Sequence, residues 1–493
     1  MGDGKPAAFA YDEVAYPAPI LSMLTPDRLG AAGAMHGWRA PRPQTASYLE
    51  IGCGDGYNLI GIGAVTPEGR HVGFDLSSAA AARGATIAAA AGLANVDIQA
   101  GDILDYPREG EKFDYIVSHG VYTWIPQHVR PALLELIGRR LAPGGVAYVS
   151  FDALPAAAPK AYIHDFLMRE LAGVEGLEAR SEKAVRLLAM LKRNQRPESR
   201  LAGQLDQLIN DLPDFEPGYF FHDWLAEFYA PVSLDAFGAA AAEHGLVRAG
   251  DAAMYDMFVG DLDDEARATV EACGDDIVRR SELVFALRGA HVFRREMLVR
   301  ADAPPPRLEW SEAVRSLSFG YSGTREPVED EAGAGFRYTF GPSNFVIVRD
   351  AATIGVIDEL LDAAPDERMF DQLADATGLP PDMLGAILLK LGTMALIDVH
   401  ATPQRFVTAA GDYPRAGALI RSMLMNGEVA ISLRHRRLVE ENIVSRTLMA
   451  LCDGTRSRDE LAMAMAELFD MPIDRAKIDE ALTYFARHRM LEA

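Results

Sequence analysis

Three features of the 493-residue sequence predict an α/β protein: a Rossmann-like core built on a seven-stranded mixed sheet, with a helical insertion and C-terminal winged-helix-like domains. First, a short apolar strand runs into three alternating glycines, Gly52, Gly54 and Gly56, just before a helical stretch. Second, from Tyr48 to Ser150 short apolar runs alternate with Ala-rich or Leu-rich helical stretches, the pattern of a parallel sheet covered on both faces. Third, helical periodicity from about Ala156 to Tyr229 interrupts this rhythm, which then resumes.

Taken in order, the strands read as Tyr48 to Ile51, His71 to Asp75, Val96 to Ala100, Phe113 to His119 and Gly145 to Phe151. Pro143-Gly144-Gly145 turns into the last of them. The interruption carries Leu187, Leu188 and Leu191, then Leu201, Leu205, Leu208 and Ile209, at helical spacing. After it come a helix from Ser233 to His244, a strand around Leu246 to Tyr255, helix from Asp263 to Leu287 and a strand from His291 to Arg300. Ala303-Pro-Pro-Pro306 reads as a stiff linker. Beyond it lies a weak repeat. Leu361 to Arg368, Leu379-Pro-Pro-Asp, Leu391 and Met394 to Ile397 resemble Leu451 to Arg458, Met471-Pro-Ile-Asp, Tyr484-Phe485 and Met490-Leu491. Each copy reads helix, turn, helix, turn, helix and an apolar end, which fits a winged-helix-like unit. The expected division is therefore 1–155 and 229–302 for the core, 156–228 for the insertion, 303–404 for a middle domain and 405–493 for a C-terminal domain.

The glycine turn carries the chemistry. Glycine supplies positive φ and bare backbone where a ligand must come close. A dinucleotide fingerprint would place its last glycine one residue later and present a helix N-terminus to a pyrophosphate. Here the strand ends in Glu50, which disfavours a phosphate and suits the cationic amino-acid end of S-adenosylmethionine, so methyl transfer is the expected chemistry. Asp75, 25 residues on in Val-Gly-Phe-Asp-Leu76-Ser, is suited to accept from both ribose hydroxyls. Alone it would read as a helix cap or surface acid. Asp102 is a candidate for the adenine amino group, with Ile103 on the ring and Asp105 competing. His119, Tyr122 and Trp124 fall in the loop after the fourth strand, where ligands of open α/β sheets bind. They are expected to face the methyl group or its acceptor, or else to pack the loop. Tyr11-Asp-Glu-Val-Ala-Tyr16-Pro17 suggests an arm folded over the cofactor, with plain packing the alternative.

Composition narrows the partners. A net charge of −23 and a pI near 4.9 argue against a sequence-independent grip on nucleic acid. Over 352–493 there are 15 basic against 22 acidic residues, so the winged-helix-like units are expected to pack on protein rather than DNA. Cys53, Cys273 and Cys452 lie far apart, indicating neither disulfides nor a zinc site. With no apolar leader and no run of 18 apolar residues, the cytoplasm is the expected location. Between Arg180 and Arg200 seven basic residues face two acidic ones, which reads as a solvated helix face, with an acidic partner as the alternative.

Together these residues resemble the class I methyltransferases that bear a methyltransferase regulatory domain, including the rickettsial-type protein-lysine methyltransferases. The resemblance is carried by Tyr11 to Pro17, Thr25-Pro-Asp-Arg-Leu29, Leu49-Glu-Ile-Gly-Cys-Gly54, Asn58-Leu59, Val72 to Ser77 and His119-Gly-Val-Tyr-Thr-Trp124. Further along it is carried by Phe221-His222, Phe228-Tyr-Ala-Pro-Val232, Phe293 to Leu298, Ile431 to His435 and Cys452 to Arg456. It spans nearly the whole chain. It implies cofactor contacts at Gly52, Gly54, Asp75 and Asp102, a helical insert used for homodimer formation, and accessory C-terminal domains that help hold substrate. With Tyr16, Glu50, Gly56, Asn58, Leu76, Ile103 and His119 these form the candidate cofactor site. His119, Tyr122 and Asp152 are the candidate catalytic residues, and no metal is expected. The chain departs from the family where the fifth strand usually continues as Ser-Tyr-Asn-x-Tyr-Pro-Gly-Trp. Here it reads Ser150-Phe-Asp152-Ala-Leu154-Pro-Ala-Ala-Ala-Pro159, at the border of the acceptor pocket.

The expected activity is methylation of protein lysine. A small-molecule N- or O-methyltransferase and a non-catalytic cofactor-binding scaffold or regulator are the alternatives. A lysine acceptor must be neutral, yet with an ordinary pKa near 10.4 only about one in a few thousand is so at pH 7. A partly apolar pocket, for which Tyr122, Trp124 and Phe151 are the candidate walls, lowers that pKa. His119 or Asp152 is then the candidate to receive the proton.

Overall fold

A computed structural model describes residues 12, 14–16 and 20–492, apart from 197, 200, 216, 254–258, 260–261, 275, 290–291, 305–309, 341–343, 404–406, 408 and 439–441. Tyr11, Pro17 and Pro305-Pro306 of the Pro-rich linker lie outside the described residues. The main sheet comprises β1 (Ser47–Ile51), β2 (Arg70–Asp75), β3 (Val96–Ala100), β4 (Phe113–Ser118), β5 (Leu141–Leu154), β6 (Leu246–Asp251) and β7 (Phe293–Arg300), with the two-residue strand Val232–Ser233 added in parallel to the end of β5. Their order across the sheet is β3-β2-β1-β4-β5-β7-β6. Neighbours from β3 to β5 pair in parallel, whereas β7 is antiparallel to both β5 and β6. The turn expected before the fifth strand is a bulge inside it: Phe113 pairs with Leu141 and Tyr115 with Val146, and Gly144 takes φ +78° between them.

Side-chain alternation along the strands sorts the core into two faces. On one face Leu49, Ile51, Ile116, Val149 and Phe151 pack with helices Arg130–Arg140 and Leu234–Glu243. On the other, Tyr48, Tyr115 and Tyr148 are fully buried on adjacent strands. Buried tyrosine hydroxyls need partners. Tyr48 donates to Leu24 O at 3.1 Å and Tyr115 to Pro41 O at 2.6 Å, tying the segment before β1 to the sheet, while Tyr148 meets His119 Nδ1 at 3.0 Å.

The interruption is four helices, Ala158–Glu170, Leu177–Arg193, Ala202–Asp211 and Pro217–Trp224. Their own apolar cluster includes Leu167, Leu188, Leu205, Leu208 and Phe221. The single helix expected from Asp263 to Leu287 is two, Asp264–Glu271 and Ile277–Leu287. Gly274, at φ +55°, ends the first, and Asp276 caps the second through Arg279 N. The strand expected from Leu246 to Tyr255 ends at Asp251, and the one expected from His291 is described from Phe293.

In the C-terminal part, helices Ala351–Ala363, Phe370–Thr377 and Pro381–Thr393 lead into strand Asp398–His400. Helices Ile443–Leu451, Arg458–Phe469 and Arg475–Arg487 lead into Leu491–Glu492. The helix starts follow capping chemistry. Asp350 and Asn442 accept from backbone N–H groups, and Ser457 and Glu460 form a reciprocal box. A three-stranded antiparallel sheet, Arg325–Asp330, Gly333–Thr339 and Phe345–Val348, precedes the first copy and was not anticipated. The second copy buries Met449, Leu461, Met465 and Phe485 in one continuous cluster with Leu59 and Ile60 of the core.

Asp398 joins distant parts of the chain. Its carboxylate takes Arg28 at 3.4 Å, Arg434 at 3.5 Å and Arg436 at 3.6 Å. Burial alone would raise its pKa, but the surrounding cations, Arg28 and Arg434 foremost, hold it at about 2. Asp398→Ala is expected to lower the unfolding free energy by about 3 kcal/mol. That is the low end of the cost of an orphaned buried charge, because Arg436 is half in solvent. Since the folded pKa lies below the unfolded one near 3.9, the stabilisation is present above about pH 4 and lost as pH falls through about 2. Thermal unfolding followed from pH 5 to 2 should show a steeper acid loss in the wild type than in Asp398→Ala.

Candidate functional site

The turn after β1 is held by Gly52 and Cys53 N–H groups donating to Phe74 O at 2.9 and 3.2 Å. Gly52, Gly54 and Gly56 take φ of +73°, +57° and +69°. A Cβ at Gly52 would lie 2.5 Å from Val121, and one at Gly56 2.3 Å from Ile98, so neither position admits a side chain. Gly54 differs: nothing lies within 4 Å of where its Cβ would be, and the space above this backbone is open.

Three acids border that space. Asp75 accepts from Gly54 N and Ser77 N, each at 2.8 Å, one on each oxygen, which leaves a lone-pair site on each for a hydroxyl donor. Burial raises its pKa, opposed by those two amides. Asp102 follows β3, joined to β2 by Gly101 N donating to Asp75 O at 2.8 Å. One of its oxygens takes Leu104 N at 2.8 Å. Leu76 is half-exposed and Ile103 half-buried on the neighbouring loops. Glu50 is 4% exposed; Oε1 accepts from Asn58 at 3.4 Å, and Oε2 has no hydrogen-bond partner. Burial pushes its pKa up to about 8.

The other expected residues divide. Asn58 is turned away from the glycine turn: its Oδ1 accepts from Leu21 N at 2.8 Å and meets His435 Nε2 at 2.9 Å. It therefore supports Glu50 and links the core to the C-terminal part. Tyr16 stands against the insertion, its hydroxyl 3.5 Å from Asp223 and its ring near Tyr219 and His222. Asp12 accepts from Ser77 Oγ at 2.6 Å, so the N-terminal segment runs from the neighbourhood of Asp75 to the insertion. Burial drives the His119 pKa down to about 4, aided by the Arg295 charge, and its Nδ1 is 3.0 Å from Tyr148 Oη.

Tyr122 and Phe151, expected to face an acceptor, do not. Both rings sit in the core on the opposite sheet face, against Phe237, with Arg130 over Tyr122 at 4.8 Å. The strand alternation explains it: Tyr148, Ser150 and Asp152 share one face of β5, and Phe151 points to the other. Asp152 is reached as expected, but in company the sequence did not reveal. Its Oδ2 accepts from Tyr229 Oη at 2.6 Å and from Lys160 Nζ at 3.0 Å. Trp124, Trp224 and Tyr229 surround that ammonium, and Asp223 is close enough to feel its charge. Burial raises Asp223 to about 6, with Lys160 opposing. The signal for Tyr229 lay in Phe228-Tyr-Ala-Pro-Val232, anchored by Ala230 N donating to Thr123 O at 3.0 Å. Lys160, Trp224 and Asp223 had no local signal.

An open glycine turn, an acid aligned for vicinal hydroxyls and a buried carboxylate oxygen lacking a partner fit a nucleoside bearing a cationic amino-acid end. On a sheet of this order they define a class I, S-adenosylmethionine-dependent methyltransferase. Residues 49–145 match the family described as methyltransferase domain, and residues 216–300 match the predicted methyltransferase regulatory domain. The uncharacterized protein RP028 of Rickettsia prowazekii (strain Madrid E) is 31% identical over 227 residues, which cover 45% of this chain and 90% of the relative. RP789 of the same organism is 28% identical over 59% of this chain and 53% of its own length. The structure of PKMT2 from Rickettsia typhi in complex with AdoHcy is similar at TM-score 0.79 and 21% identity, covering 97% of this chain and 99% of that one. The chain belongs to the class I methyltransferases that carry a methyltransferase regulatory domain. No helix among the described residues is long and apolar enough to cross a membrane, and among them no cluster of three or more His, Cys, Asp or Glu is placed to hold a metal.

If a cationic group binds beside Glu50, its binding is expected to be proton-linked. With a folded pKa of about 8 against an ordinary 4.5, the carboxyl is neutral in the free protein at pH 7, and its effect on stability worsens as pH rises toward 8. A cationic amino group beside it favours the carboxylate, so binding releases a proton and affinity rises by up to about tenfold per pH unit between pH 6 and 8. Calorimetry in buffers of different ionisation enthalpy reads that proton directly, and Glu50→Gln should abolish both the proton and the slope. Asp75→Asn should weaken binding at least about tenfold at every pH, the loss of a charge-assisted hydrogen bond.

Proposed function

We propose that this methyltransferase acts on the side-chain amine of lysine in protein. The observation that carries the reading is the pocket at the carboxyl ends of β4 and β5, where Asp152 and Asp223 stand among Trp124, Trp224 and Tyr229. Such a surround of aromatic faces and carboxylates binds an alkylammonium. The resemblance to rickettsial-type protein-lysine methyltransferases supports the same reading.

S-adenosylmethionine supplies a methyl group made electrophilic by its sulfonium. Glu50, the amides at Gly52 to Gly56, Asp75 and Asp102 are the residues that would hold it. The chain's remaining work is alignment, exclusion of water and delivery of a neutral amine. Asp152 gathers the ammonium and receives its proton, and Tyr229 fixes the orientation of that carboxylate by donating to Oδ2. His119 is neutral at pH 7 and, tied to Tyr148, serves as a wall of the site. Tyr122 shapes the loop from beneath through Phe237 and Phe151.

The test is transfer of labelled methyl from the cofactor to fractionated cell extract, followed by residue mapping. Label on protein lysine is the expected result. Label confined to small amines would replace this reading with a small-molecule N-methyltransferase, and cofactor binding without transfer would leave a scaffold. Tyr229→Phe should lower kcat/KM about 10- to 100-fold, roughly 1.4–2.7 kcal/mol of transition-state stabilisation, with cofactor affinity unchanged.

A further inference from the structure

Lys160 occupies the ammonium pocket from within the chain. It lies in the first turn of helix Ala158–Glu170, which follows the end of the fifth strand. Its Nζ is 3.0 Å from Asp152 Oδ2, and the ring centroids of Tyr229, Trp124 and Trp224 lie 4.8, 5.1 and 5.3 Å away. The side chain is 17% exposed and that of Asp152 3%. A buried ion pair alone does not require three aromatic faces. Nor does this chain choose lysine by habit: it has seven lysines among 48 basic residues. Lysine differs from arginine in the property that matters here, since its nitrogen becomes a nucleophile on losing a proton.

The pocket adjoins the cofactor loop. Asp152 is two residues beyond Ser150 on the same face of β5, about 7 Å along the strand. Ser150 Oγ accepts from Gly120 N at 2.8 Å, and Trp124 closes the loop that begins at His119. We propose that the chain methylates itself at Lys160. This rests on the reading that the site transfers methyl groups to amines. The ammonium gives its proton to the Asp152 carboxylate, and the nitrogen lone pair forms the N–C bond. The S–C bond breaks with its electron pair on sulfur, leaving S-adenosylhomocysteine, and the proton passes from Asp152 to solvent. The product remains a cation and keeps its three rings. An N–H for Asp152 survives one or two methylations but not three, so the reaction stops at the mono- or dimethyl form.

Incubation of the full chain with S-adenosylmethionine bearing a deuterated methyl, followed by peptide mapping, should place one or two methyl groups on Lys160. The label should be absent in Lys160→Arg and in Asp75→Ala. Labelling should be first order in enzyme across dilution, and transfer only between copies, seen as label entering Asp75→Ala protein mixed with wild type, would overturn the intramolecular route. A readout without turnover is acylation by acetic anhydride. Lys160 should react more slowly than Lys192, which is 40% exposed, and more slowly again with S-adenosylhomocysteine bound. If the cofactor binds and free lysine peptides are methylated while Lys160 stays unlabelled and its acylation ignores S-adenosylhomocysteine, self-methylation is wrong and the methyltransferase reading stands. Failure of the cofactor to bind would remove both.

Discussion

The constraint on which the site depends is steric and lies in the backbone between β1 and the following helix. At Gly52 and Gly56 the chain presses against Val121 and Ile98, residues from the loop after β4 and from β3, at distances no Cβ tolerates. The glycine turn is thereby clamped between the two loops that frame the ligand space. The clamp orients the Gly54 amide toward Asp75, and Gly101 N on the Asp75 carbonyl sets the spacing of Asp75 and Asp102. A side chain at either glycine would displace the Val121 or Ile98 side chain and strain the positive-φ backbone. What looks like a binding motif is first a packing requirement of the sheet.

Within that frame, burial acts on two carboxylates with opposite results, and the partners decide which. Asp398 has three guanidinium groups around it, and their summed attraction exceeds the desolvation cost, so it stays ionised down to about pH 2. Glu50 has only an amide, desolvation wins, and its pKa stands at about 8. The first is a structural tie between remote segments. The second is an acid that burial holds in its neutral form at pH 7.

The core was legible in the sequence because its strands are short, apolar and punctuated by glycine, and because the acids at Glu50, Asp75 and Asp102 fall at strand ends by simple counting. The helical insertion and the repeat of three helices and a strand were legible for the same reason. What escaped was long-range or set by alternation. Phe151 has the composition of a pocket wall but the parity of a core face, and parity depends on where the strand's pairing begins, while Tyr122 is turned to the same core by the loop after β4. Gly274 breaks a helix whose apolar period runs straight through it. Lys160, Asp223 and Trp224 meet Asp152 only because the insertion folds back over the end of β5. Asp223 and Trp224 stand 71 and 72 residues beyond Asp152, a separation that no local pattern encodes, although Lys160 is only eight residues away.

Asp152 places a carboxylate in a site of which 3% is exposed, and a buried charge without a counter-charge is the costlier state by several kcal/mol. A cation within reach of the same helix turn resolves it, and Lys160 is that cation. Yet the pocket also contains Asp223, so two acids face one ammonium. Burial drives Asp223 to about 6, a sign that the site remains short of positive charge. Under the proposed function an incoming lysine would bring a further ammonium to these two acids, and Lys160 is the one the chain itself supplies. Charge balance thus makes internal and external lysines equivalent claims on one site. Which of them reacts is governed by how far each nitrogen must move once its proton has gone to Asp152.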